Sequence, residues 1–153
     1  MANTYTEIYV QIIFAVQGKE NLIYEPIRDR IEKYMCGTIS NNNSKPLSIY
    51  CNPDHVHILI GLHPTISISD MARDIKASSS KMINENCLIK GKFRWQEGYG
   101  AFTYSKSQID SVAKYILNQP EHHKKKNFKD EYLDILHKLD IKYDDAYLFD
   151  WYD

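Results

Sequence analysis

Residues 52–62 read NPDHVHILIGL, and the fold turns on how this run is read. Val56, Ile58, Ile60 and Leu62 recur at every second position, the period of a strand. Side chains two apart on a strand point to the same side. The four apolar residues therefore mark the core side, and His55 and His57 lie together on the face away from it. The turn Asn52-Pro53-Asp54 joins this run to a second apolar run at 47–51, and the two read as a β-hairpin. Pro64 closes the second strand.

Working outward, residues 5–16 alternate in the same way. Ile8, Val10, Ile12, Phe14 and Val16 share one face, and Tyr9, Gln11 and Ile13 share the other. Gly18 and Asn21 break this strand. Pro26 then suits a first helical position, and Ile27, Ile31, Tyr34 and Met35 recur at helical spacing. Gly37 and the run Asn41-Asn42-Asn43-Ser44 are expected to end that helix. A second helix is expected over 68–85, with Ile68, Met71, Ile75 and Met82 on its stripe and Ser67 or Ser69 as its cap. Strands are expected near 93–96 and 101–104. Ser105 or Ser107 then opens a helix with Ile109, Val112, Ala113 and Ile116 on its apolar side, which Pro120 is expected to end. Lys124-Lys125-Lys126 reads as a basic loop, and residues 130–139 as a last helix. The order β-α-β-β-α-β implies an α+β, ferredoxin-like (RRM-like) antiparallel sheet, with two helices on one face and the other face free to stay open.

The chain of 153 residues suits one domain. It divides into a sheet core at 1–104, a helix at 105–119, and a basic loop, last helix and acidic tail at 120–153. Residues 1–75 hold 6 basic and 8 acidic side chains, residues 76–129 hold 11 and 4, and residues 130–153 hold 2 and 8. A basic middle third in a near-neutral chain suits a polyanionic partner. No apolar run approaches a membrane span. The N-terminus lacks the basic start of a secretory leader. Cys36, Cys51 and Cys87 lack metal or disulfide spacing, so three reduced thiols and a cytoplasmic location are expected.

His55 and His57, two apart on one strand face, can ligate a single metal ion. Tyr115 and Gln119 are four apart, so on one helix they share a face. The Gln119 amide oxygen is a neutral hard ligand at a helix C-terminus, where the dipole favours a cation. Two imidazoles and one amide oxygen leave room for phosphate oxygens. A phenol can attack phosphorus once a metal polarises the phosphate and positive charge, from Lys114 or Lys124–Lys126, favours phenolate. Arg73, Lys76, Ser79, Ser80 and Lys81 on and around the second helix, with Lys92 and Arg94, are the candidate phosphate contacts. His122 and His123 are adjacent, which reads as exposed histidines beside the lysine loop. The acidic tail reads as a solvated cover.

Four stretches, NPDHVHILIGL, IKASSSKMIN, FRWQEGYGAFTYS and YILNQPEHHKKKNFKDEYLDIL, together resemble the HUH single-tyrosine transposases of insertion sequences and REP elements. The likeness runs from the first strand to the last helix. It implies that His55, His57 and Gln119 are metal ligands for Mg²⁺ or Mn²⁺ and that Tyr115 is the nucleophile. It also implies cleavage of single-stranded DNA at hairpin-bearing ends through a 5′-phosphotyrosine link, strand transfer to a 3′-hydroxyl without ATP, and a homodimer. Two other readings use the same residues. A binding module of RNA-recognition type would bind single strands on its open sheet face without metal. A relative serving cellular DNA would keep the chemistry.

Overall fold

The computed structural model describes residues 3–152; Met1, Ala2 and Asp153, at the ends of the expected domain, lie outside the described residues. Strands β1 (Tyr9–Ala15), β2 (Lys45–Cys51), β3 (His55–Gly61) and β4 (Gly100–Thr103) form one sheet in the order β2-β3-β1-β4, every pair antiparallel. Helix α1 (Glu25–Asn41) follows β1 and α2 (Ile68–Glu85) follows β3, which is the expected β-α-β-β-α-β order. Three further helices, α3 (Ile109–Leu117), α4 (Gln119–His123) and α5 (Phe128–Lys138), come after β4.

The register sorts β3 into two faces. Val56, Ile58 and Ile60 lie opposite Phe14, Ile12 and Val10 of β1, and all six are closed to solvent. They join Ile31, Met35 and Ile39 of α1 and Met71, Ile75 and Ile83 of α2 in one core. Burying a side chain of this size is worth about 1.5–3 kcal/mol, so this face carries much of the folding energy. On the other face His57 and His55 lie opposite Ile13 and Ala15. That face is not open, because α3 and α5 cover it. Ser48 of β2 donates to the Ala113 carbonyl of α3 at 3.1 Å, and Phe128 of α5 stacks on His55 with ring centroids 3.7 Å apart.

Several boundaries differ from expectation, each for a physical reason. Gly37 does not end α1; the helix runs on to Asn41, and Asn43 then takes a left-handed φ of 58°. Ile39 continues the buried stripe of Ile31 and Met35, and its burial outweighs the roughly 1 kcal/mol glycine penalty. Residues 93–96 make no strand beyond a single bridge from Trp95 to Val16. Side chains hold that segment instead. Asn84 bonds both the N–H and the carbonyl of Phe93, and the Gln96 amide bonds the Val16 and Asp150 carbonyls. Pro120 does not terminate one long helix. Asn118 caps α3, and Pro120 falls in the first turn of α4, where its missing N–H costs no bond. The last helix starts at Phe128, capped by the Asn127 side chain, which accepts from the Asp130 N–H at 2.9 Å. The tail is only partly a solvated cover: Phe149 and Trp151 pack against Phe128, while Asp150 is exposed.

Candidate active site

The two histidines on β3 are aimed by their neighbours. His55 Nδ1 lies 2.7 Å from Asp54 Oδ1, which fixes the ring and turns Nε2 inward. Asn52, in the same turn, puts its amide nitrogen 3.2 Å from that Nε2. His57 Nδ1 lies 2.8 Å from the Gln11 amide nitrogen of β1, whose oxygen accepts from the Tyr104 hydroxyl at 2.7 Å. Both rings present Nε2 to one carboxylate oxygen, Glu131 Oε1, at 3.3 Å from His55 and 3.0 Å from His57. His123 Nε2 reaches the same oxygen at 3.1 Å. Ligand atoms of His55, His57, His123 and Glu131 all lie within 4.8 Å of one another.

Tyr115 borders this cluster from α3. Its hydroxyl donates to Glu131 Oε2 and lies 3.2 Å from His122 Nε2. The Gln119 amide nitrogen donates to Glu131 Oε2 at 3.0 Å. The Gln119 oxygen accepts from Asn52 at 3.0 Å and lies 2.9 Å from His123 Nε2. A cavity of about 320 Å³ opens beside the phenol, with Gln11, Tyr104, His122, Lys126 and Glu131 on its border.

Charge in this buried space is strongly coupled. Burial alone would raise the Glu131 carboxyl, but the His57 ring and the hydrogen bonds from His123, His55 and His57 hold it far below the usual range. The Tyr115 phenol is pushed well above its ordinary value, first by burial and then by the adjacent Glu131 charge. Burial disfavours protonated His55, yet its bonds to Asp54 and Glu131 win and raise it, whereas burial lowers His57. A cation among these groups would offset the Glu131 charge that opposes phenolate.

His55, His57, Tyr115 and Gln119 are thus brought together, although Gln119 opens α4 and does not share the Tyr115 helix. Of the expected phosphate contacts, Arg73, Lys76, Ser80, Lys92 and Arg94 line one groove of about 570 Å³ between α2 and residues 92–99, with Trp95 and Tyr99 in its wall. Two fall elsewhere. Ser79 is buried, its hydroxyl accepting from the Trp95 indole at 2.9 Å, and Lys81 stands in solvent near Glu85. Lys76 donates to the Gln96 and Gly98 carbonyls at 2.7 and 2.9 Å, which ties the groove's loop to α2.

Sequence reasoning missed Glu131, Asn52 and Gln11, and it placed His122 and His123 in solvent. Both histidines are half-buried and point at Glu131. A signal for Glu131 existed. It sits three residues after Phe128 and four before Ile135, so it is a carboxylate on an apolar helix face. Reading the last helix from 130 left Phe128 off the stripe and hid this.

Comparison with known proteins gives the same architecture. The family described as "Transposase IS200 like" matches residues 4–119. The IS200 insertion-sequence transposase of Salmonella typhimurium is 27% identical over 129 residues, covering 81% of this chain and 84% of the relative. The ISDra2 transposase TnpA of Deinococcus radiodurans is 23% identical over 118 residues, covering 74% and 84%. Among solved structures, a candidate transposase from Deinococcus radiodurans aligns with a TM-score of 0.62 at 21% identity, over 78% of this chain and 95% of that one. A REP-associated tyrosine transposase bound to a REP hairpin aligns with a TM-score of 0.57 at 13% identity, over 80% and 73%. The family match spans the sheet, the histidine strand and the tyrosine helix, and so the chain belongs to the IS200-like family of DNA transposases.

Proposed function

We propose that this transposase cuts single-stranded DNA at hairpin-bearing ends and rejoins it through a 5′-phosphotyrosine link on Tyr115. The observation that carries this reading is convergence. The Tyr115 hydroxyl and the His55 and His57 nitrogens, drawn from α3 and β3, meet at the same Glu131 carboxylate. In the step itself the Tyr115 oxygen bonds to phosphorus and the bond from phosphorus to the 3′-oxygen breaks. The phenol gives up a proton and the departing 3′-oxygen takes one up, so no cofactor is consumed. In the second step a 3′-hydroxyl attacks the phosphotyrosine and releases the phenol.

The donor set fits Mg²⁺ or Mn²⁺, since imidazole nitrogens, a carboxylate and an amide oxygen gather there. His55, His57 and Gln119 would hold the ion. When bound, such an ion polarises the phosphate and offsets charge on the phenolate. Asp54 and Gln11 orient the two rings, and α3 holds Tyr115 in the wall of the 320 Å³ cavity. The groove of Arg73, Lys92 and Arg94 is suited to the phosphates of a DNA hairpin, the ligand carried by the REP-associated relative. The chain is proposed to act as a homodimer. A binding module of RNA-recognition type is disfavoured, because α3 and α5 cover the sheet face a single strand would need.

The test is incubation with Mn²⁺ and an end-labelled library of single-stranded hairpins, followed by denaturing electrophoresis. A covalent protein–DNA band that is lost with Tyr115→Phe and with a chelator is the expected result. A band that survives Tyr115→Phe removes Tyr115 as nucleophile.

A further inference from the structure

His123 and Glu131 lie beyond the family match, which ends at residue 119, yet their ligand atoms join those of His55 and His57 within 4.8 Å. We infer that His123 and Glu131 join His55, His57 and Gln119 around the ion, so that the C-terminal helices α4 and α5 are part of the metal centre. This rests on the metal-dependent reading above and adds two ligands to it.

Geometry is the first support. Glu131 Oε1 stands 3.0 Å from His57 Nε2, 3.1 Å from His123 Nε2 and 3.3 Å from His55 Nε2. Donor atoms on neighbouring positions of one transition-metal ion, with bonds of about 2.0–2.2 Å, stand roughly 3.0–3.4 Å apart. Hydrogen-bond logic is the second. The Asp54 carboxylate can only accept from His55 Nδ1, so the ring proton sits there and Nε2 presents a lone pair. Asn52 reaches that nitrogen at 3.2 Å, but the lone pair also faces the Glu131 carboxylate oxygen. A metal ion between them would satisfy both acceptors. The pair Asp54–His55 also repeats the carboxylate–histidine arrangement that orients metal-bound imidazoles.

The donor chemistry then selects the ion. Mg²⁺ prefers oxygen ligands and retained water, whereas three imidazoles favour a transition ion. Mn²⁺ is therefore bound in preference to Mg²⁺. Because the donors come from β3, α4 and α5, the ion also pins the C-terminal helices to the sheet.

The test is Mn²⁺ titration of the full chain by calorimetry, with pulsed EPR to count imidazole nitrogens on the bound ion. Three nitrogens in the unchanged chain, falling to two in His123→Ala, is the expected result. Glu131→Gln should weaken Mn²⁺ binding at least about 100-fold, since even residues that only orient metal ligands cost 10–100-fold. Tenfold excess Mg²⁺ should leave the Mn²⁺ signal in place. The nitrogen count in the unchanged chain needs no variant, so a Glu131→Gln protein that fails to fold leaves the claim testable. Two nitrogens in the unchanged chain, with Glu131→Gln binding normally and His57→Ala not binding, would overturn this inference and leave the proposed function standing. No Mn²⁺ binding by the unchanged chain would overturn both.

Discussion

The two faces of β3 are equally closed to solvent and opposite in character. Val56, Ile58 and Ile60 are fully buried against α1 and α2 in a wholly apolar core; His55 and His57 are as fully buried beneath α3–α5, but among carboxylates, amides and a phenol. The apolar face is held by burial and tolerates little loss of volume. The polar face is held by matching donors to acceptors, and among the described residues no buried side-chain nitrogen or oxygen lacks a partner. Alternation along a strand separates its faces, but it does not say which of them water reaches. Here His55 and His57 on the second face are closed to solvent because residues after β4 fold back over them.

Each face can be disrupted separately. The largest loss of stability should come on the apolar face. Ile58→Ala, opposite Ile12 and Ile49, should cost about 2–5 kcal/mol in urea unfolding. A cost under 1 kcal/mol would mean that this face is not the main core. On the polar face, Gly100 matters because it lets α5 sit close to the sheet. A methyl group there would meet the Tyr132 hydroxyl at 2.5 Å and its ring at 3.0 Å. Gly100→Ala should cost about 1–3 kcal/mol, and adding Tyr132→Phe should recover part of that. No recovery would place the strain elsewhere than at α5.

Acid should act chiefly on the polar face. The Glu131 carboxyl is held far below its unfolded value of 4.5, so its contribution to stability is in place above that pH and is lost as pH falls below it. In chelator, Glu131→Gln should flatten the fall in urea midpoint below about pH 4.5, whereas Ile58→Ala should shift the whole curve down without changing its slope. An unchanged acid limb in Glu131→Gln would assign that limb to other carboxylates. Smallest of all should be the helix caps. Ser67→Ala at α2 and Asn127→Ala at α5 each remove a side-chain bond to a backbone N–H and should cost about 1 kcal/mol. Only Asn127→Ala should also weaken Mn²⁺ binding, because α5 carries Glu131.

The hairpin at 45–61 and helix α2 were legible because each repeats a simple period bounded by a turn or cap, and Ser67 does cap α2 by accepting from the Asp70 N–H at 3.0 Å. The pair His55 and His57 was legible for the same reason. Their burial was not, since it depends on helices distant in sequence. Residues 93–96 misled because Phe93 and Trp95 alternate like a strand while their order comes from Asn84 and Gln96 side chains. Pro120 misled because a proline reads equally as the end of one helix or the first turn of the next. Gln119 therefore opens a new helix, and His123, four residues further along it, was read as exposed because it is adjacent to His122. Gln11 was legible as a position on the second face of β1 and Asn52 as a turn residue, but only the folded sheet brings them to the histidines.

The most direct test of the claim that the polar face is the reaction centre is to digest the covalent protein–DNA adduct and map the modified residue by mass spectrometry. The account predicts a nucleotide joined through its 5′-phosphate to the oxygen of Tyr115. A nucleotide on any other residue, or DNA cut with no protein-linked strand, would contradict it.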